Sequence, residues 1–388
     1  MPRRPRAHAR LLVVIALLLA SGMAVAAAGA QGVPVRPRLD AKADTNDWGA
    51  YFDHGVQALR LRTGADPGAS FYWAARLNPE RAEPLFAQWV AFHLRDFDRW
   101  LGYLGEKREV LEHPAVLAAD SLRLRARIRN PFVAQSLEVA LFTQLPGTFA
   151  RTDLTNGWLA YGEGDLRRAA RLLADGIARD PSRHAFARET RAQVLVAMRR
   201  YDSALVEMRT LRAELERRDE RRLARVYQSK EFIDYAIGFL EGVRGNDAGA
   251  REAMQRALTE NLAFHPAHVF LGDEALRGSD AATAIYEYEE ALVIDSTDVV
   301  VLHHYALALM RTGRLGEAAT ALRKATALEP FYAAPWLQLG RVLDRRKDVD
   351  GARAAYRQYV ATAPRSEKER IADARARLAA LDAAGAGP

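Results

Sequence analysis

The chain has 388 residues, enough for two or three ordinary domains or one extended repeat array. Nearly half of it is hydrophobic and 27% is charged, a composition that folds and excludes a disordered polymer. The formal net charge of +7 includes Arg3, Arg4, Arg6 and Arg10 of the first thirty residues; beyond them 52 basic residues face 49 acidic ones, a balance too even for a nucleic-acid surface.

The N-terminus reads as a sorting signal. A basic segment, PRRPRAHAR, precedes the apolar run LLVVIALLLA and a small-residue stretch ending in Ala28-Gly29-Ala30. These are the three regions of a secretory signal peptide (residues 1–30), with cleavage expected before Gln31. Leu11 to Ala30 is also long enough to stay as an uncleaved anchor, although its last ten residues are too rich in Ala and Gly for a strong one. The sequence has no cysteine and no Asn-x-Ser/Thr site, which excludes disulfides, cysteine metal sites and a lipidated cysteine. With the Ala- and Arg-rich composition, the expectation is an exported bacterial protein of the periplasm.

Residues 31–47 are expected to be a flexible linker, and residues 48–149 a helical region with degenerate repeats. There, WGAYFDHGVQALR and ASFYWAARLNP read as two helices ending at Pro79, joined by the atypical linker LRTGADPG, and a further helix pair is expected from Glu83. Residues 95–150 fit no period. Within them SLRLRARIRN alternates apolar and Arg residues as a strand would, but Pro114 suits a helix start and Asn130-Pro131 a stop, so one helix is expected over 115–129.

From residue 150 the chain repeats. Ala169, Ala204, Ala250, Ala284, Ala318 and Ala352 are spaced by 35, 46, 34, 34 and 34 residues, a period that marks a solenoid of helix pairs. The long step contains ERRDERRLARVYQSKEF, without Pro or Gly, and predicts extra helix of about three turns. Small residues at Ala306, Ala318, Ala325, Gly340 and Ala352 admit close helix approach, while Leu322 and Tyr356 fill the space between pairs. Pro181, Pro330 and Pro364 stop helices. Ser366 and Glu369 have capping-box spacing, and Ile371, Ala374, Leu378 and Leu381 make one apolar stripe, so a helix over 366–384 is expected to cover the last repeat.

Trp336, Leu339, Gly340, Leu343, Ala352, Tyr356, Tyr359 and Pro364, and one unit earlier Leu302, Tyr305, Ala306, Leu309, Gly313, Leu315, Ala318, Leu322, Ala325 and Pro330, resemble the tetratricopeptide repeat. The resemblance covers residues 150 to 366, with Leu343 and Tyr359 departing from the usual Tyr and Ala. It implies an all-α fold, a right-handed α-solenoid of about six units over 150–365 with a C-terminal capping helix.

No constellation of catalytic residues is recognisable: there is no phosphate loop, no G-x-S-x-G and no H-E-x-x-H. His265 and His268, and His303 and His304, lack a carboxylate at metal-supporting spacing. The Asp96 and Asp98 carboxylates of RDFDRW, two apart on a helix, point in different directions. The expectation is a non-enzyme without cofactor or metal. The family resemblance implies instead a concave surface lined by the first helix of each pair and binding an extended protein or peptide segment. Its inward positions carry Trp158, Tyr161, Phe232, Tyr235 and Phe239 in the earlier repeats and Arg277, His303, Arg311, Arg341 and Arg345 in the later ones. Aromatic anchors beside arginines suit a segment with an apolar part and an acidic part. The paired Lys and Asn residues with which some relatives clamp chaperone C-termini are absent. The reading is an exported interaction scaffold. Its alternatives are a membrane-tethered assembly component and an enzyme using residues 95–150.

Overall fold

The computed structural model describes residues 33–61, 66–81, parts of 83–91 and 156–161, and then 164–179, 185–220 and 230–385. The expected signal peptide, residues 95–150 with the helix expected at 115–129, and Trp158 lie outside the described residues. The chain divides into two compact units, residues 1–127 and 128–388. Among the described residues all regular structure is α-helical, and no helix is long and apolar enough to cross a membrane.

The first unit contains the helix pair α1 (Trp48–Leu61) and α2 (Pro67–Leu77). Asp66 caps α2 by accepting the Gly68 N–H at 2.9 Å, and Pro67 occupies the first helical turn, where its missing N–H goes unneeded. A Cβ at Gly55 would lie 2.6 Å from the buried Phe71 ring, so the absence of a side chain lets the helices meet. Residues 33–47, expected as a linker, make specific contacts with this pair. Trp73 Nε1 donates to the Pro34 carbonyl at 2.9 Å, and Arg36 Nε donates to Tyr51 Oη at 2.9 Å. The Arg36 guanidinium lies 5.2 Å from the Tyr51 ring centroid and 4.9 Å from that of Trp73. Helical residues resume at Glu83.

The second unit is the array. It runs through α3 (Leu166–Arg179), α4 (Ala185–Ala197), α5 (Tyr201–Glu220), α6 (Lys230–Val243), α7 (Asp247–Glu260), α8 (His265–Arg277), α9 (Ala281–Ile294), α10 (Val299–Arg311), α11 (Leu315–Leu328), α12 (Ala333–Arg345), α13 (Val349–Thr362) and α14 (Lys368–Gly385). Each helix packs against its successor, forming an α-solenoid of helix pairs. All six alanines of the register are 0–1% exposed, as close helix approach requires. A second rule, spacing sixteen, links each pair internally. Gly157 meets Leu173, Gly238 meets Met254, Gly272 meets Tyr288 and Gly340 meets Tyr356, each at under 3 Å from a notional Cβ. Ala192 with Met208, and Ala306 with Leu322, hold the same places in the core. Gly55 and Phe71 obey that spacing too, which ties the first unit to the repeat pattern.

The hairpins turn through one residue of positive φ: Gly164, Arg199, Gly245, Ser279, Gly313 and Lys347. Asn246, Asp280 and Asp348 then cap the second helices by accepting backbone N–H groups at 3.0–3.1 Å. Helices α3, α11 and α13 end two residues before Pro181, Pro330 and Pro364. The extra helix of the long step is seen in part: α5 has 20 residues against 14 in α7, α9, α11 and α13, and residues 221–229 lie outside the described residues. The terminal helix α14 begins at Lys368 and buries Ala374 and Leu381, with Ile371 and Leu378 half-buried beside them, the expected stripe.

Candidate functional site

The first helices of the pairs position the candidate residues, and their surroundings divide them sharply. Tyr235 is only 3% exposed and meets Phe264 edge-on at 5.7 Å, while Phe232 meets the same ring at 4.9 Å. The structure thus brings Phe232 and Tyr235 together on Phe264, which belongs to the loop before α8. Phe239 is half-buried against the core shared by α4, α5 and α6. Tyr161 is half-buried in a separate cluster with Ala160, Leu173 and Val194. His303 is 6% exposed; its Nδ1 lies 3.1 Å from Tyr332 Oη.

The four arginines differ. All are exposed. Arg311 donates to the Leu276 carbonyl at the end of α8, a site favoured for a cation because helix carbonyls are unsatisfied there. Among the described residues Arg277, Arg341 and Arg345 have no carboxylate partner. Arg341 and Arg345 are four apart on α12, a like-charge pair that destabilises a helix slightly.

The arginines of the earlier repeats behave in the opposite way. Asp234 is fully buried on α6 and accepts from Arg212 Nε at 2.8 Å and Arg256 Nε at 3.2 Å. Glu241, 1% exposed, accepts from Arg209, from Arg244 at 3.0 Å and from Asn246 at 3.0 Å. Glu207 takes both Arg188 and Arg191. Burial lowers the Arg191 pKa, assisted by the neighbouring Arg188 charge. For Arg212, burial works against the charge, but the Asp234 hydrogen bond and the acids around it outweigh burial and raise the pKa.

Sequence reasoning missed two polar positions on the first helices. Asp273 of α8 accepts from Tyr288 Oη at 2.8 Å and pairs with His304 Nδ1 at 2.8 Å. Asp344 of α12 is held by both Arg377 Nε and Nη2 of α14 at 2.6 Å. For Asp273 the signal was available, since Phe239, Asp273, Leu307 and Arg341 follow one another at steps of 34.

The geometry reproduces the period, the small-to-large contact of each pair and the shared hairpin turn. Residues 306–367 also match the sequence model described as tetratricopeptide repeat. Residues 306–367 are thus tetratricopeptide repeat, and the helix pairs before them share that geometry. Such folds serve as protein-interaction scaffolds. No curated protein matches the chain. Among solved structures, a crystal structure of MamA shares 18% identity over 45% of this chain and 94% of its own, with a TM-score of 0.39. YrrB, described as a tetratricopeptide-repeat protein with an unusual peptide-binding site, shares 16% identity over 53% and 99%, at 0.43. The C-terminal part of a repeat protein from Cytophaga hutchinsonii shares 14% over 59% and 95%, at 0.45.

Proposed function

We propose that this tetratricopeptide-repeat protein is an exported, periplasmic, non-catalytic scaffold that holds an extended segment of a partner protein along the first helices of its pairs. The observation that carries the reading is the contrast between the two sets of arginines. Arg188, Arg191, Arg209, Arg212 and Arg256 of α4–α7 are neutralised by the buried Glu207, Asp234 and Glu241, whereas Arg277, Arg341 and Arg345 stand exposed without a carboxylate among the described residues. An uncompensated cation lowers its energy by meeting an acid from outside, and Arg does so in a forked, oriented geometry. The half-buried Phe232 and Phe239 supply apolar surface on an earlier first helix. The basic, apolar and Ala-x-Ala pattern at the N-terminus supports export.

The test is a crosslinked pull-down from the cell envelope with the native protein and an Arg341→Ala/Phe239→Ala variant of unchanged helicity. The expected outcome is one partner captured by the native form and depleted at least about tenfold in the variant, since an anchor residue is worth about 2 kcal/mol. Equal capture by both forms removes the first-helix surface as the binding site.

A further inference from the structure

We infer that Arg277, Arg311 and Arg345 form a ladder that reads the spacing of carboxylates along an extended acidic segment of the partner protein. The inference rests on the binding surface proposed above and adds what chemistry it selects. The three residues are 34 apart, and each is the last residue of a first helix, α8, α10 and α12. They therefore occupy one register position in three successive repeats. The rung at Arg311 is tied to its neighbour, because its guanidinium donates to the carbonyl of Leu276, the residue before Arg277. That bond orients one cation along the row and leaves the other N–H groups of the fork for a ligand.

The acids close to the row are already engaged. Glu274 accepts from Arg251 at 3.0 Å, Asp280 caps α9 through Thr283, and Asp344 is gripped by Arg377. Asp348 caps α13 and faces Arg323 at 3.6 Å. Arg277 and Arg345 are thus left as net positive charge at the helix ends.

Spacing decides the ligand. Successive first helices touch in α8, α10 and α12, and packed helix axes lie about 8–10 Å apart. A segment extended as a polyproline II helix advances about 3.1 Å per residue with three residues per turn, so one rung corresponds to about three residues and every third side chain faces the same way. Acids at every third position of an extended segment would meet every rung. A nucleic-acid strand is disfavoured, because Asp344, Asp348 and Glu274 interrupt the basic surface that a continuous phosphate backbone requires.

The test uses the full chain and two fluorescein-labelled nine-residue peptides on a Gly/Ser/Asn background. One has Glu at its second, fifth and eighth positions, and the other has three consecutive Glu at its centre. A nine-nucleotide DNA strand is the third probe. The spaced peptide is expected to bind at least about threefold more tightly than the clustered one at low salt. R277Q/R345Q, which leaves the Arg311 bond intact, is expected to weaken it about tenfold, the sum of two exposed Arg–carboxylate contacts near their upper range. Equal affinity for the two peptides, no effect of R277Q/R345Q, or tighter ladder-dependent binding of the DNA overturns the ladder. If the envelope partner still depends on Phe239 and Arg341 in those cases, only the ladder falls; if that dependence is missing too, the binding surface falls with it.

Discussion

Lys347 has φ of 62°, a conformation in which a Cβ crowds the following carbonyl, at a position where three other hairpins use Gly164, Gly245 and Gly313. Lys347→Gly relieves that crowding at the expense of some backbone entropy, and a net gain of about 0.5–1 kcal/mol is expected in urea denaturation. A loss would mean that the Lys347 stem packs usefully. His268 carries a charge that bears on the fold. Its ring is buried, with Nδ1 at 2.8 Å from Glu287 and Nε2 at 3.1 Å from the Leu262 carbonyl, so both nitrogens face acceptors and both bonds need the imidazolium. Burial opposes that charge, but the Glu287 hydrogen bond, the Leu262 carbonyl and the Glu287 and Glu290 charges prevail and raise the pKa above the ordinary 6.5. A folded-state pKa raised in this way contributes stability fully below about 6.5 and loses it as pH climbs through the raised value. The melting temperature is therefore expected to fall as pH rises above about 6.5, and to fall less in His268→Gln.

Each helix pair depends on one close approach. The Tyr288 ring lies 2.6 Å from a Cβ placed on Gly272, whereas the atom nearest such a Cβ on Gly238 is the mobile methyl end of Met254. Gly272→Ala is accordingly expected to destabilise by about 1–3 kcal/mol and Gly238→Ala by less, measured from the denaturation midpoints of otherwise identical proteins. Ala318→Leu, at a position fully closed to solvent, is expected to cost about as much as Gly272→Ala. These contacts were legible in the sequence because they are written at fixed spacing: the alanines at 34, the small-to-large partners at sixteen, the prolines two residues past the helix ends. The capping helix was legible too, from the stripe Ile371, Ala374, Leu378 and Leu381. What spacing does not encode is which aromatic ring ends in the core. Tyr235 and Phe239 share a helix and both read as anchors, yet Phe264, a loop residue, closes over Tyr235 and Phe232 and leaves Tyr235 only 3% exposed. The strap at residues 33–47 escaped for a related reason, since its hold depends on Arg36 and Trp73 meeting across 37 residues.

The array is a line of neighbours without long-range closure, so its ends must be finished. At the C-terminal end α14 does this with the buried stripe and with Arg377 on Asp344, Arg353 on the Leu381 carbonyl at 2.7 Å and Tyr359 on Glu367 at 2.7 Å. Deletion of residues 366–388 uncovers Tyr356 and Tyr359, and the shortened chain is expected to self-associate with rising concentration in light scattering, whereas the intact chain keeps a constant mass. Along the line the bonding changes character. From Val269 to Leu381 one continuous apolar core runs through the helices, whereas α4 to α7 are joined by smaller apolar clusters together with Glu207, Asp234 and Glu241 and the arginines around them. The two stretches have different weaknesses. Grease loosens in the cold and in urea; buried ion pairs loosen when one partner is taken away. The solenoid is in that sense a bimetallic strip, whose two stretches yield to different changes, and Asp234→Ala, which leaves Arg212 and Arg256 without their buried partner, is expected to speed amide exchange in the helices around it while those after Val269 stay protected.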